Sequence, residues 1–150
     1  MTKAFIISGT DTGIGKTTVA AMLTVALDAH YWKPLQSGIF RRHGYTARTG
    51  VAGLSNDRLL PERYILSRPL SPHRAAELDG VEICALSLPK VDGTLIVEGA
   101  GGFMVPVTRR KLQIDVFRTR GLCRLFYVRR RGWERSIIRC YPLKPCANVK

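Results

Sequence analysis

Ten residues near the amino end constrain this chain more than any others: Gly9-Thr10-Asp11-Thr12-Gly13-Ile14-Gly15-Lys16-Thr17-Thr18. Ahead of them, Ala4 to Ser8 is a short apolar run rich in β-formers, which predicts a buried parallel strand. Behind them, Thr17 to Ala29 carries Val19, Met22, Leu23, Ala26 and Leu27 at helical spacing. Strand, glycine-rich loop, helix is the opening of an α/β fold. Glycines let backbone N–H groups turn inward and approach phosphate oxygens. The start of the following helix adds the positive end of its dipole. Lys16 is placed to neutralise phosphate charge, and the Thr17 hydroxyl to ligate magnesium. One position departs from the usual spacing, which puts glycine five places before Gly15, where this chain has Thr10. A glycine turn with no ligand is the competing structural reading.

Further signals follow in order. Tyr31 to Gln36 predicts a second strand broken by Pro34. Residues 38–50 are polar, basic and irregular. Ser71-Pro72 resembles a helix start, with serine at the N-cap and proline at the first helical position. Thr94 to Glu98 predicts another buried parallel strand, ended by Gly99-Ala100-Gly101-Gly102. Its acid lies at the strand's carboxyl end, where open α/β sheets bind ligands.

Four segments together resemble the dethiobiotin synthetases: the loop Gly9–Thr17, Lys33-Pro34-Leu35-Gln36-Ser37-Gly38, Leu70-Ser71-Pro72-His73-Arg74-Ala75-Ala76-Glu77, and Val97-Glu98-Gly99-Ala100-Gly101-Gly102. The resemblance covers residues 1–117, about the first half of a usual family member. It implies a P-loop NTPase-like parallel sheet flanked by helices, here truncated. It also implies a reaction in which 7,8-diaminononanoate takes up CO2 as a carbamate. The carbamate attacks the γ-phosphate of ATP with Mg2+ present, and the ureido ring of dethiobiotin then closes.

Carried over residue by residue, Gly13, Ile14, Gly15, Lys16, Thr17, Thr18, Glu98, Gly99, Ala100 and Gly101 are the expected ATP site. Thr17 and Glu98 are the expected metal ligands. Lys33 is the expected catalytic residue, stabilising charge on the carbamate and the transferring phosphoryl group. Thr12 and Ser37 are expected to hydrogen-bond the diamine or its carbamate. The structural alternatives are a solvated lysine at 33, a solvated strand end at 98 and a turn serine at 37. His73 is read as a capping or packing residue. The resemblance further implies a homodimer whose site borrows residues from the partner chain.

Two stretches depart from the family. Phe40-Arg41-Arg42-His43-Gly44-Tyr45 is basic where members are acidic and supply an aspartate for magnesium and ATP. The other is residues 118–150. Residues 1–115 hold 14 Lys/Arg against 10 Asp/Glu, whereas 116–150 hold 10 against Glu134 alone. Arg129-Arg130-Arg131 follows Leu125-Phe126-Tyr127-Val128, and a core does not accept three adjacent arginines without large desolvation costs. In a neighbouring reading frame, codons for Arg131–Lys150 can spell GLGTINHSLLSIEALRKRQ, which matches the segment the family has here. Codons for Arg41–Tyr45 can spell DDTDT. The tail is therefore expected to be frameshifted, its basic charge a by-product, with a genuinely divergent tail as the alternative.

A basic tail also admits a nucleic-acid-binding reading, but it lacks a recognisable RNA- or DNA-binding motif. A partition-type or cobyrinic-acid amidase-type ATPase shares the fold, and the lysine-proline and Ser-Pro-His segments argue against it. Cys84, Cys123, Cys140 and Cys146 form no CxxC pair, and the tail has no histidine, so reduced, incidental thiols are expected rather than a zinc site. No apolar run reaches the ~18 residues of a membrane span, and the short apolar start lacks a signal-peptide core. A cytoplasmic location, with no membrane partner, is the expectation.

Overall fold

The computed structural model describes residues 3–38, 54–84, 86–118, 124–131 and 135–142. The basic stretch Phe40–Tyr45, Cys123 and Cys146 lie outside the described residues.

The sequence forms β1 (Lys3–Gly9), α1 (Lys16–Ala26), β2 (His30–Trp32), β3 (Leu35–Ser37), β4 (Leu59–Leu60), β5 (Tyr64–Leu66), α2 (Pro72–Asp79), β6 (Thr94–Gly102), α3 (Gln113–Arg118), β7 (Arg124–Arg131) and β8 (Arg135–Pro142). The main sheet runs β4-β2-β6-β1-β7-β8. Its first five strands are parallel and β8 closes one edge antiparallel to β7.

Alternation of side chains sorts the core onto two faces. Phe5, Ile7, Tyr31, Ile96 and Val128 lie on the face that receives Val19 and Ala20 of α1. Ala4, Ile6, Trp32, Leu95, Val97 and Leu125 lie on the other, with Phe117 of α3. A third cluster joins Leu35, Leu66, Ala75, Ala76 and Val107 beneath the small parallel sheet of β3 and β5.

Pro34 breaks the second strand as expected, and the break moves the chain between sheets: β2 pairs with β6, whereas β3 pairs with β5. Two local expectations are corrected. The first helix ends at Ala26 rather than Ala29, since Asp28 turns at φ 46° and the Ala29 N–H bonds the Thr24 carbonyl. Its buried side is Lys16, Val19, Ala20 and Thr24, while Met22 and Leu27 are exposed. Small residues there let the helix approach the sheet, which hydrophobicity alone does not reveal. The strand at 94 continues through the glycines to Gly102, because β1 keeps pairing alongside it as far as Gly9. The helix start at Ser71-Pro72 is as expected: Ser71 occupies the N-cap of α2 and Pro72 opens the helix, while the Ser71 hydroxyl meets Nδ1 of His73 at 3.0 Å.

The segment past residue 117 supplies a strand of the sheet. Phe5 to Gly9 run alongside Arg124 to Val128. Leu125 and Val128 are buried, while Arg129 lies beyond the β1 pairing and is exposed. Arg129 therefore stays out of the core by falling past the end of β1. A Cβ on Gly9 would stand 2.5 Å from the Val128 carbonyl oxygen, a backbone atom with no freedom to step aside. Gly9→Ala is therefore expected to cost about 1–3 kcal/mol, read as a shift of the urea unfolding midpoint. An unshifted midpoint would mean that β7 does not lie against the start of the loop.

Candidate functional site: a loop-lined cleft at the strand ends

β1 delivers the chain into the loop, and Gly13 and Gly15 turn it with φ of 71° and 93°. Only glycine adopts those angles without strain. Gly15 is the N-cap of α1 and has no side chain to offer the first-turn N–H groups, which are left free to meet an anion. Lys16 is buried, and its Nζ donates to the Asp11 carbonyl across the loop. Burial lowers its pKa, as does Lys33, against the opposing pull of Glu98 and Asp11.

Glu98 is the hub. It comes from the carboxyl half of β6 and is 1% exposed. Its Oε1 accepts from Thr17 Oγ1 at 2.8 Å and faces Lys33 Nζ at 3.1 Å. Its Oε2 accepts from the Tyr31 hydroxyl at 2.7 Å. Burial, followed by the charge of Glu98, pushes the Tyr31 pKa far above its usual range. The phenol is therefore a donor at any working pH.

These groups wall a cleft of about 320 Å³. Thr12, Gly13, Gly15, Lys16, Thr17 and Lys33 line it on the loop side, and Glu98, Gly99 and Gly101 on the β6 side. Four expected site residues stand elsewhere. Ile14 is buried in the core cluster under α1. Thr18 is exposed on the helix. Ala100 packs toward the cluster beneath α2. Ser37 keeps its hydroxyl buried without a protein partner, off the lining of the cleft.

Two residues of this region carry no mark in the sequence: Tyr31, which looks like one more apolar strand residue, and Gln113. The Gln113 side chain is 1% exposed, donates to Ser8 Oγ at 3.2 Å and fills the space a Cβ on Gly99 would need. No local signal marks either residue, because both act on segments distant in sequence. A larger cleft of about 700 Å³ lies between Gly80–Cys84 and Val107–Lys111. It lacks a glycine loop and a buried acid, and its Arg109 is paired with Glu77 at 2.5 Å. The chemistry favours the smaller cleft.

Among the described residues no three His, Cys, Asp or Glu side chains cluster as an all-protein metal cage. Thr17 Oγ1 and Glu98 Oε1 are instead two hard oxygens, 2.8 Å apart, beside the glycine-turned loop. That set fits magnesium, which takes one or two carboxylates and completes its shell with substrate phosphates and water.

The AAA domain family matches residues 3–130. The chain belongs to that family. Its AAA domain therefore spans the loop, both lysines, Glu98 and β7 as far as Arg130. Over 119 residues it is 56% identical to the ATP-dependent dethiobiotin synthetase of Rhodopseudomonas palustris (strain HaA2), and 53% identical to that of Agrobacterium fabrum. With that of Novosphingobium aromaticivorans it shares 52% over 116 residues. These matches cover 78%, 78% and 76% of this chain and 56% of each relative. The chain thus spans just over half the length of these curated relatives. Among the described residues no helix is long and apolar enough to cross a membrane.

Proposed function

We propose that this AAA domain is the nucleotide- and carbamate-handling part of an ATP-dependent dethiobiotin synthetase. The observation that carries the reading is the meeting of Lys16, Thr17, Lys33 and Glu98, brought from three separate stretches of chain, in one cleft at the carboxyl ends of β1 and β6.

One amine of 7,8-diaminononanoate adds to CO2 and loses a proton, giving a carbamate. A carbamate oxygen attacks the γ-phosphorus of ATP, and ADP leaves. The second amine attacks the carbonyl carbon of the resulting mixed anhydride, and phosphate leaves as the ring closes. Such phosphoryl transfer needs mainly positioning and charge neutralisation. The loop N–H groups and Lys16 hold the phosphates, and Lys33 supplies positive charge where carbamate and phosphoryl group meet. Thr17 and Glu98 would hold magnesium, which would supply positive charge to the ATP phosphates. Thr12 faces the cleft as a hydrogen-bonding group for the diamine or its carbamate. Ser37 reaches substrate only if its hydroxyl turns from its present buried position. The working assembly is a cytoplasmic homodimer.

The AAA match through residue 130 narrows the expected shift from 118–150; we further propose that residues 131–150 are read from a shifted frame. The coding DNA tests this directly: a shifted frame lacking GLGTINHSLLSIEALRKRQ removes the idea. The enzymatic test uses the 150-residue chain with diaminononanoate, bicarbonate, magnesium and ATP, and measures dethiobiotin. Little product is expected from the chain alone, which spans 56% of its relatives' length, and restoring the shifted frames should raise it. Full activity from the chain as written would overturn the account of the tail. No product after restoration would overturn the assignment of the reaction. A tail that holds nucleic acid through phosphate charge would instead show binding that falls steeply with salt.

A further inference from the structure

Glu98 uses both carboxylate oxygens, and its three partners differ in kind. Thr17 and Lys33, on Oε1, line the cleft and are within reach of whatever enters it. Tyr31, on Oε2, is 1% exposed and belongs to the core cluster beneath α1. Its backbone is fixed by the register of β2 on β6, Tyr31 opposite Ile96 and Trp32 opposite Val97. Thus one oxygen of the carboxylate is bound by groups that can exchange partners. The other is bound by a group that cannot leave.

We propose that Tyr31 is the positioning residue of the metal site: its hydroxyl holds Oε2 against the core so that Glu98 presents Oε1 alone to a divalent cation. The inference rests on the nucleotide site proposed above. Its physical basis is rotational. The terminal torsion of a glutamate is broad and weakly restrained, so a carboxylate without a second partner samples orientations that offer either oxygen or both. Magnesium demands near-ideal octahedral geometry and tolerates such wandering poorly. A buried donor on the far oxygen removes the freedom before the cation arrives. Phenylalanine would fill the same core volume, so packing alone gives no reason for a hydroxyl at this position.

The test titrates magnesium into the full chain in the presence of a non-hydrolysable ATP analogue, and separately measures analogue binding in EDTA. Tyr31→Phe is expected to raise the magnesium concentration for half-maximal binding by roughly 10-fold or more, the usual consequence of losing an outer-shell partner, while analogue affinity in EDTA stays within about twofold. Because the variant leaves Oε2 buried without a donor, the thermal midpoint of each protein without ligand is recorded alongside. In a Glu98→Gln background, adding Tyr31→Phe is expected to change the magnesium dependence no further. Equal losses with magnesium and with EDTA would reduce Tyr31 to a structural role and overturn the proposal. So would an unchanged magnesium titration, or an undiminished effect of Tyr31→Phe in the Glu98→Gln background. A parent chain that binds no analogue even with magnesium overturns the nucleotide site and this inference together. A parent that binds, beside an indifferent Tyr31→Phe, overturns only the role of Tyr31.

Discussion

Lys16→Met is expected to weaken binding of magnesium–ATP by roughly 10- to 150-fold, the equivalent of about 1.5–3 kcal/mol for hydrogen bonds to a charged group. The same change should leave the fold at least as stable as the parent. The reasoning joins burial to charge. Lys16 is 6% exposed, and burial lowers its pKa. A lysine whose folded pKa lies below its unfolded value opposes folding at every pH where the unfolded chain is protonated. Methionine keeps the aliphatic stem in place and removes that opposition, together with the bond to the Asp11 carbonyl. The ammonium is thus held at a cost to the fold until a polyanion arrives. Calorimetry with nucleotide reads the first effect and a thermal melt without nucleotide reads the second. A variant that melts far lower and binds nucleotide normally would show that Lys16 serves the loop's structure instead.

The second large effect is expected at the hub. Glu98→Ala strips an acceptor from Thr17, Tyr31 and Lys33 at once. Lys33 has a side chain only 15% exposed, against 2% for Glu98, so its charge is left largely buried without that carboxylate. Removing one member of such a pair typically costs about 3–5 kcal/mol, a large share of the ~5–15 kcal/mol that holds a domain together. The urea midpoint should fall accordingly, and magnesium should cease to strengthen nucleotide binding. Glu98→Gln separates the two consequences. It retains an oxygen for Thr17 or Tyr31 and should recover part of the stability, yet it lacks the charge a divalent cation requires. A Glu98→Ala chain within about 1 kcal/mol of the parent would mean that the network contributes little beyond one ordinary hydrogen bond.

Much of the scaffold was legible from local pattern. Ala4–Ser8 and Thr94–Glu98 announce buried parallel strands because their side chains are apolar on both faces, and the structure shows both faces covered. Pro34 announces a break because it has no N–H to give a sheet. The loop is legible because Gly13 and Gly15 stand where backbone angles exclude other residues. Less legible was which side of α1 is buried. Ala20 and Thr24 face the sheet while Met22 and Val25 are more than 60% exposed. Close approach selects small residues there, whereas a hydrophobic pattern selects large ones. The place of β7 was hidden as well. Its arginines suggested exclusion from the core, and only pairing with β1 shows that Leu125 and Val128 are inside while Arg129 has passed the edge.

Local order along the chain sets the loop, the helix that follows it and the identity of the charged groups, because each depends on residues a few positions apart. Tertiary structure decided how those groups meet. Thr17 reaches Glu98 across 81 positions and Tyr31 across 67, and that convergence exists only because β2, β6 and β1 lie side by side in one sheet. Sequence spacing carries no information about such neighbours, since strand order is settled by burying apolar faces and pairing backbone groups throughout the domain.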